Sequence, residues 1–280
     1  MEIPIPLYVE SVMERLLRKG YDTYLVGGSI RDILMDKKPI DWDIASSAEP
    51  HEVMKAFPDK KVVNTGEKYG TVTVKYKEGK VEVTTFRSEG RYSDGRHPDW
   101  VHFEKSIEKD LSRRDFTINA IAYNKNRGFI DPFGGAEHIN KRIIRAVGNP
   151  EDRFMEDGLR MLRAVRFSTI LSFEIEENTF NAIKNLAGKI KAVSPERIRD
   201  ELFKILNAPY PSKGMELLLE TGLIKYILPE ITPSVGFDQN NPNHDRDVFE
   251  HILCVLNNTP ALIHVRLAAL FHDIGKPYCY

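Results

Sequence analysis

The stretch from Tyr24 to Ala45, YLVGGSIRDILMDKKPIDWDIA, constrains this chain more than any other. Thr23 to Val26 reads as a buried strand, Gly27-Gly28 breaks it, and Ser29 to Met35 reads as a helix. A second extended segment then carries Asp41 and Asp43. Strand side chains alternate with a period of two, so carboxylates one residue apart project from the same side. Carboxylate oxygens suit Mg²⁺, and Mg²⁺ usually serves phosphate chemistry. An isolated Asp-x-Asp is more often a solvated pair on an edge strand, because surface carboxylates are common. The glycine turn ahead of it shifts that balance. Backbone N–H groups at such a turn and at a helix start, here Gly28 and Ser29, form an anion site. Arg31 lies in the first helical turn, where a guanidinium clamps phosphate oxygens.

The flanking segments supply a scaffold. Val9, Val12, Met13, Leu16 and Leu17 have the spacing of an amphipathic helix over 9–18, with Gly20 fitting its C-cap. Glu52 to Phe57 reads as a short helix and Lys61 to Val63 as a strand. Gly70 to Tyr76 and Val81 to Phe86 alternate around Lys77-Glu78-Gly79-Lys80, which predicts a β-hairpin. Glu82, in its second strand, is either a solvent-face residue or a third carboxylate reaching the pocket of Asp41 and Asp43. Three carboxylates around two Mg²⁺ would be the arrangement for in-line phosphoryl transfer. Asp110 to Tyr123 joins Arg113-Arg114-Asp115 to an apolar, helix-like run through Ile118, Ile121 and Ala122. It reads as a solvated helix start, or as triphosphate and ribose contact by Arg114 with Asp115 and Asn119 nearby. Asp131-Pro132-Phe133-Gly134-Gly135 is a turn and an expected domain edge.

From Pro150 onward the chain reads as helical, with Phe154, Met161, Leu162 and Val165 on one face. Asp157, Arg160, Arg163 and Arg166 recur every three residues along another. Such a stripe is commonly an exposed, salt-bridged face. An adjacent Asp and Arg also offer an acceptor and donors to a base edge: the carboxylate takes the exocyclic amine of C or A, whereas U and G present the wrong pattern. Ser194-Pro195 is a clean helix start.

Composition sets the outer bounds. The 280 residues suffice for about two domains, and 41% hydrophobic with 29% charged residues describes an ordinary protein with real cores. There is no apolar run of transmembrane length, and the start, MEIPIPLYVESVMERLLRKG, lacks the pattern of a signal peptide. Two cysteines, Cys254 and Cys279, cannot form a disulfide framework. A cytoplasmic protein without a membrane partner is the expectation. With a net charge of −1, any nucleic acid must bind a local basic patch.

Taken together, these residues resemble a family. VGGSIRDILMDKKPIDWDIAS looks like the signature of the nucleotidyltransferase fold used by class II tRNA nucleotidyltransferases and bacterial poly(A) polymerases. The resemblance continues with VEVTTFR at 81–87, DLSRRDFTINAIAYN at 110–124, DPFGGAEHINKRIIRAVGNPEDRFMEDGLRMLRAVRF at 131–167 and SPERIRDELFKIL at 194–206. Several ordered motifs are far more specific than any one alone. The resemblance implies that Asp41 and Asp43 hold Mg²⁺, that Glu82 assists in activating the hydroxyl, and that Gly28, Arg31 and Arg114 hold the triphosphate. It implies that Asp157 and Arg160, within Glu156-Asp157-x-x-Arg160, select the incoming nucleotide, with Arg163 and Arg166 adding phosphate or base contacts. Ser88 to Pro98, by composition a surface loop, corresponds to the family's loop that helps switch from CTP to ATP, and its full length favours addition of A. Lys184, Lys189, Lys191, Arg197, Arg199 and Lys204 form either a solvated face, a support for the pocket or a contact with tRNA phosphates.

The final segment resembles the opening of an HD domain, through His251 in DVFEHIL and His272-Asp273 in LAALFHDIGKP. That resemblance implies a divalent-metal site for phosphate-ester hydrolysis. The pattern needs a later Asp, and the chain stops at Tyr280, so the module is expected to be cut short and its metal site doubtful.

The resulting expectation is an α+β chain: a nucleotidyltransferase-fold head with a small mixed sheet over 1–135, a helical nucleotide-selecting and RNA-binding neck over 136–206, and a helical body with a partial HD module over 207–280. The implied activity is addition of CMP and AMP from CTP and ATP to the 3′ end of tRNA, rebuilding CCA, with Mg²⁺ as cofactor. An A-adding or CC-adding specialist is the nearest alternative. A bacterial poly(A) polymerase is less favoured, because that subfamily tends to carry Gly-Arg/Lys-Arg-Phe where this chain has VVNTGEKYGTVTV at 62–74. An HD phosphohydrolase whose front half merely binds RNA is the alternative from another class.

Overall fold

The computed structural model describes residues 3–66, 69–90, 100–238 and 246–279, apart from the Thr65 side chain. They form two compact units. The first holds the described residues up to Lys141 together with Arg145–Gly148, and the second holds Arg142–Ile144 and the described residues from Asn149 onward. The division thus falls after the Asp131–Gly135 turn that the sequence suggested as an edge, because the helix following that turn still packs in the first unit.

In the first unit the chain runs α1 (Leu7–Arg18), β1 (Thr23–Val26), α2 (Gly28–Leu34), β2 (Asp43–Ser46), α3 (Pro50–Ala56), β3 (Lys61–Gly66), β4 (Thr71–Lys75), β5 (Lys80–Thr85), β6 (Arg87–Glu89), β7 (Val101–Phe103), α4 (Ile107–Ser112), β8 (Ala122–Asn124), β9 (Gly128–Ile130) and α5 (Gly135–Asn140). Seven strands make one mixed sheet in the order β3-β4-β5-β2-β1-β8-β9. Among its neighbours only β2 and β5 run parallel. The hairpin read from the alternating pattern is β4–β5, closed by a Tyr76 N–H bond to the Gly79 carbonyl. In β5, Val81, Val83 and Thr85 are buried while Lys80, Glu82 and Thr84 share the other face. α1 buries Val9, Val12, Met13 and Leu16, as its spacing predicts, and Gly20 beyond it has φ +88°. Tyr24, Val26, Ala45, Phe86, Ile107, Leu111, Ala120, Ala122 and Val147 form one buried cluster, so β1, β2 and α4 rest on a common core.

Two local expectations change. The apolar run near Ile118 is not a helix: Thr117–Asn119 makes a single 3₁₀ turn and the chain then enters β8, which pairs with β1. A short, fully buried run carries no periodicity that separates strand from helix. The second change concerns Asp41, which precedes β2 in a bend rather than lying in the strand with Asp43. Of the Ser88–Pro98 loop, Ser88 and Glu89 pair with β7, and 91–98 lies outside the described residues.

The second unit is mainly helical. β10 (Ile143–Ile144) pairs with β11 (Glu174–Ile175), and around them lie α6 (Pro150–Glu156), α7 (Leu159–Leu171), α8 (Glu177–Leu186), α9 (Pro195–Leu206), α10 (Pro211–Glu220), α11 (Ile224–Ile227), α12 (Val248–Asn257) and α13 (Ile263–Phe271). α7 is buried on most of its circumference and packs along α9. The helical stripe expected from Asp157 to Arg166 is broken at its start. Asp157 is extended (φ −143°, ψ 107°), and its side chain accepts the Leu159 N–H at 3.0 Å, so it caps α7 instead of lying on it. Gly158 permits this elbow, since a Cβ there would stand 3.1 Å from the Lys189 carbonyl oxygen.

Gly135 ties α5 to the 3₁₀ turn that carries Asn119. A Cβ at Gly135 would lie 2.2 Å from the Thr117 carbonyl oxygen and 2.8 Å from Ile121. Gly135→Ala is therefore expected to destabilise the first unit by about 1–3 kcal/mol, the usual cost of overpacking, read as a lower urea midpoint with unchanged slope.

Candidate active site

The parallel register of β2 and β5 puts Asp43 directly beside Glu82. Asp41, Trp42, Asp43, Lys80 and Glu82 line a cavity of about 160 Å³ at this edge of the pairing. The three carboxylates singled out from the sequence thus share one small cleft, although Asp41 reaches it from a bend. Trp42 is buried and anchors that bend. Burial drives the Asp43 carboxyl above its ordinary range; the neighbouring charges of Glu82 and Asp41 add to this, and Arg114 and Lys80 oppose it. Lys80 Nζ lies 3.3 Å from Glu82 Oε1. Lys80 was not picked out from the sequence, yet it sits two residues from Glu82 on a strand, and period-two alternation alone puts both on one face.

The glycine turn borders the same cleft. Gly27 has φ +71°, a conformation that favours glycine, and a Cβ there would stand 3.3 Å from Arg114 Nη1 and 3.8 Å from Asp43 Oδ2. Arg114 therefore faces both the turn and the half-buried Asp43. Gly28 opens α2, and Ser29 is buried with its hydroxyl donating to the Val26 carbonyl at 3.1 Å. Arg31 donates to Asp32 at 2.7 Å and to Asn119 Oδ1 at 2.9 Å. Asn119 Nδ2 in turn donates to Asp115 Oδ1, which also accepts the Phe116 N–H at 2.8 Å. Arg31, Asn119 and Asp115 are thus one hydrogen-bonded chain across the sheet end, bridging 88 residues of sequence between Arg31 and Asn119.

Arg114 is held from below by Asp110, a residue the sequence reading passed over. Asp110 is fully buried; it accepts from Arg113 Nε and Nη2 at 3.0 and 2.8 Å and from Arg114 Nη2 at 2.9 Å. Burial alone would raise its carboxyl, but the Arg113 and Arg114 guanidinium groups overcome this and hold it below the ordinary range. Arg113 also donates to Glu89 at 2.8 Å, and Glu89 accepts from Arg87 at 2.6 Å. The signal was available: an Asp three and four residues ahead of two arginines in a helix-like segment faces both.

The second unit holds the other candidate residues. Asp157 accepts from Arg197 at 3.3 Å on Oδ1 and 2.7 Å on Oδ2. Arg160 is buried and donates to Glu156 Oε2 at 2.5 Å and to the Arg153 carbonyl at 3.3 Å. Arg166 stacks over Phe167 at 4.1 Å and pairs with Glu201 at 2.9 Å, and Arg163 lies 5.4 Å from the same ring. Further along, His251 on α12 meets His272 and Asp273 at the end of α13. Nε2 of the two rings are 3.2 Å apart, and Asp273 Oδ2 lies 3.5 Å from His251 and 3.3 Å from His272. Among the described residues this trio alone brings three ligand atoms within 4.8 Å of one another. Lys276 Nζ sits 2.7 Å from Asp273. Burial would raise the Asp273 carboxyl, but the Lys276 hydrogen bond and the nearby His272 and His251 hold it low. No helix among the described residues is long and apolar enough to cross a membrane.

A mixed sheet with a Gly-Gly turn, a carboxylate cleft and a following helical unit defines a nucleotidyltransferase head with a helical body. Comparison with known proteins sharpens this. Residues 23–145 match the Poly A polymerase head domain, and 172–234 match a probable RNA and SrmB-binding site of polymerase A. The chain is 47% identical over 216 residues to the CCA-adding enzyme of Geobacillus stearothermophilus, covering 77% of this chain and 53% of that protein. It is 48% identical over 221 residues to the CCA-adding enzyme of Anoxybacillus flavithermus, covering 79% and 55%. A crystal structure of the Bacillus stearothermophilus CCA-adding enzyme in complex with CTP superposes with a TM-score of 0.74 at 33% identity, over 100% of this chain and 83% of that one. The chain belongs to the family of nucleotidyltransferases with a Poly A polymerase head domain that includes the CCA-adding enzymes. It spans about half the length of the curated relatives it matches.

Two outcomes follow from this geometry. Asp43 has a raised folded-state pKa, so its contribution favours the fold below the ordinary carboxylate range and is lost as pH rises through the raised value. In chelator, Asp43→Asn should raise the melting temperature at pH 7–8, with the gain shrinking as pH falls toward the carboxylate range. Asp110→Asn should instead cost about 3 kcal/mol, the lower end for breaking a buried ion pair, because Arg113 and Arg114 keep some solvent. Urea unfolding measures it.

Proposed function

We propose that this chain transfers CMP and AMP from CTP and ATP to the 3′ end of tRNA, rebuilding CCA and releasing pyrophosphate. The observation that carries the proposal is the cleft where Asp43 and Glu82 lie side by side with Asp41, faced by Arg114. Its oxygen donors fit a hard divalent cation, and Asp43, whose carboxyl is raised first by burial and then by Glu82 and Asp41, stands where a cation would favour the ionised form. Asp41 and Asp43 would hold Mg²⁺, with two ions in the full reaction and Glu82 beside them. When bound, Mg²⁺ supplies positive charge to the phosphate oxygens and acidifies the attacking hydroxyl.

The chain's own groups do the rest. The tRNA 3′ oxygen attacks the α-phosphorus, the bond to the bridging oxygen breaks, and pyrophosphate leaves with the electron pair. Glu82 accepts the hydroxyl proton. Arg114, fixed by Asp110, and Arg31, fixed by Asn119 and Asp32, neutralise the triphosphate; Gly28 and Ser29 offer backbone N–H groups. Asp115 acts through Asn119. Asp157 and Arg160 choose the base, with Arg163 and Arg166 beside them, and 172–234 contributes to RNA binding. In this division, 1–135 is the catalytic head, 136–206 the selecting neck and 207–280 the body, and the place of action is the cytoplasm. The trio His251, His272 and Asp273 is a second divalent-metal site, supported by its convergence within 4.8 Å.

The test uses tRNA transcripts ending before CCA, after the first C and after CC, each with CTP, ATP or both. Stepwise completion to CCA is expected, and Asp43→Asn should lower it by at least ~10²-fold, the scale for removing one electrostatic group from such a site. Incorporation of one nucleotide type alone would mark a specialist, and runs of A on unrelated RNA would mark a poly(A) polymerase.

A further inference from the structure

Arg197 occupies the third position of α9, two residues after Pro195. A cation in the first helical turn works against the helix dipole. Its guanidinium instead spends both arms on Asp157, forty residues earlier in the chain, with Nη1 on Oδ1 at 3.3 Å and Nη2 on Oδ2 at 2.7 Å. Oδ1 also takes the Leu159 N–H at 3.0 Å. The carboxylate is therefore fixed by three hydrogen bonds at the α6–α7 elbow, where both partners are largely buried: the side chains keep 13% and 23% exposure. A carboxylate oxygen accepts two hydrogen bonds. Oδ1 has both, and Oδ2 has one from the described residues, which leaves a single acceptor position with a fixed direction.

We infer that Arg197 is the positioning residue that makes Asp157 base-selective, by holding its carboxylate so that Oδ2 alone meets the incoming base. This rests on the reading above that Asp157 contacts that base. A fixed lone acceptor takes the exocyclic amine of cytosine or adenine and repels the O4 of uracil or the O6 of guanine. A carboxylate free to swing could turn instead to the ring N–H of uracil or guanine, and selection would fall. Lysine cannot replace Arg197 here, because a point charge fixes neither oxygen's direction, whereas a planar fork fixes both.

The experiment measures kcat/KM for CTP and UTP separately on tRNA ending before CCA, for the full chain and for Arg197→Lys, Arg197→Met, Asp157→Ala and the Arg197→Met/Asp157→Ala pair, each with its melting temperature. Arg197→Lys should reduce the CTP/UTP preference about tenfold, the scale of one good base contact, through gained UTP use, and with a melting temperature close to the parent's. Asp157→Ala should reduce it at least as much, and the double variant should be no less selective than Asp157→Ala alone. If Asp157→Ala loses selectivity while Arg197→Lys keeps it, Arg197 is merely structural and the inference is overturned. If Asp157→Ala keeps its selectivity, the reading of Asp157 fails and the inference falls with it. Should Arg197→Met fail to fold, Arg197→Lys decides between these outcomes.

Discussion

The first unit depends on one pairing, the parallel ladder between β2 and β5. It is the only parallel pairing in the seven-stranded sheet, and its register sets Asp43 against Glu82. Two carboxylates at neighbouring positions repel, and burial makes that worse. The surrounding structure reads as compensation for this. Arg114 is brought to Asp43 across Gly27, whose lack of a side chain leaves the room, and Arg114 itself is held by the buried Asp110. Lys80 stands against Glu82 from the start of the same strand. Arg114 and Lys80 only partly offset the burial and the like charges that raise the Asp43 carboxyl, and a divalent cation at the three carboxylates would favour its ionised form.

In the second unit the decisive feature is a helix break. Were α6 and α7 continuous, Asp157 and Arg160 would lie on one helical face in the manner of any salt-bridged stripe. The break at Asp157-Gly158 frees the aspartate to cap α7 and turns it to Arg197, while Arg160 is taken by Glu156. Each of the two proposed base-reading groups is thus oriented by an oppositely charged neighbour. Under the proposed function, the first unit supplies the general phosphate chemistry and the second the recognition of a base.

Much of this was legible in the sequence. The β4–β5 hairpin, β1, α1 and the start of α9 follow from period-two and period-3.6 patterns and from proline and glycine placement. Asp41, Asp43, Glu82 and Arg114 stand out as candidates from the sequence motifs alone. The failures have physical causes. β8 is buried on both faces, so its apolar residues carry no alternation and read as helix. Asp41 falls in a bend because Trp42 is needed in the core and the strand begins only at Asp43. The break at Asp157 leaves no mark in a three-residue charge repeat. The i,i+3 and i,i+4 spacing of Asp110 to Arg113 and Arg114 is local and readable, whereas Arg197 stands out only as one of several basic residues, because its partner Asp157 lies forty residues away.

The central claim is that the Asp43–Glu82 cleft is where cation and nucleotide meet, and Mn²⁺ binding followed by electron paramagnetic resonance tests it most directly. The chain carrying His272→Ala, to disable the trio on α12 and α13, is titrated with Mn²⁺ with and without CTP, alongside the same chain carrying Asp43→Asn as well. The account predicts Mn²⁺ binding that CTP strengthens and that Asp43→Asn abolishes. Equal CTP-dependent Mn²⁺ binding in both chains would contradict it.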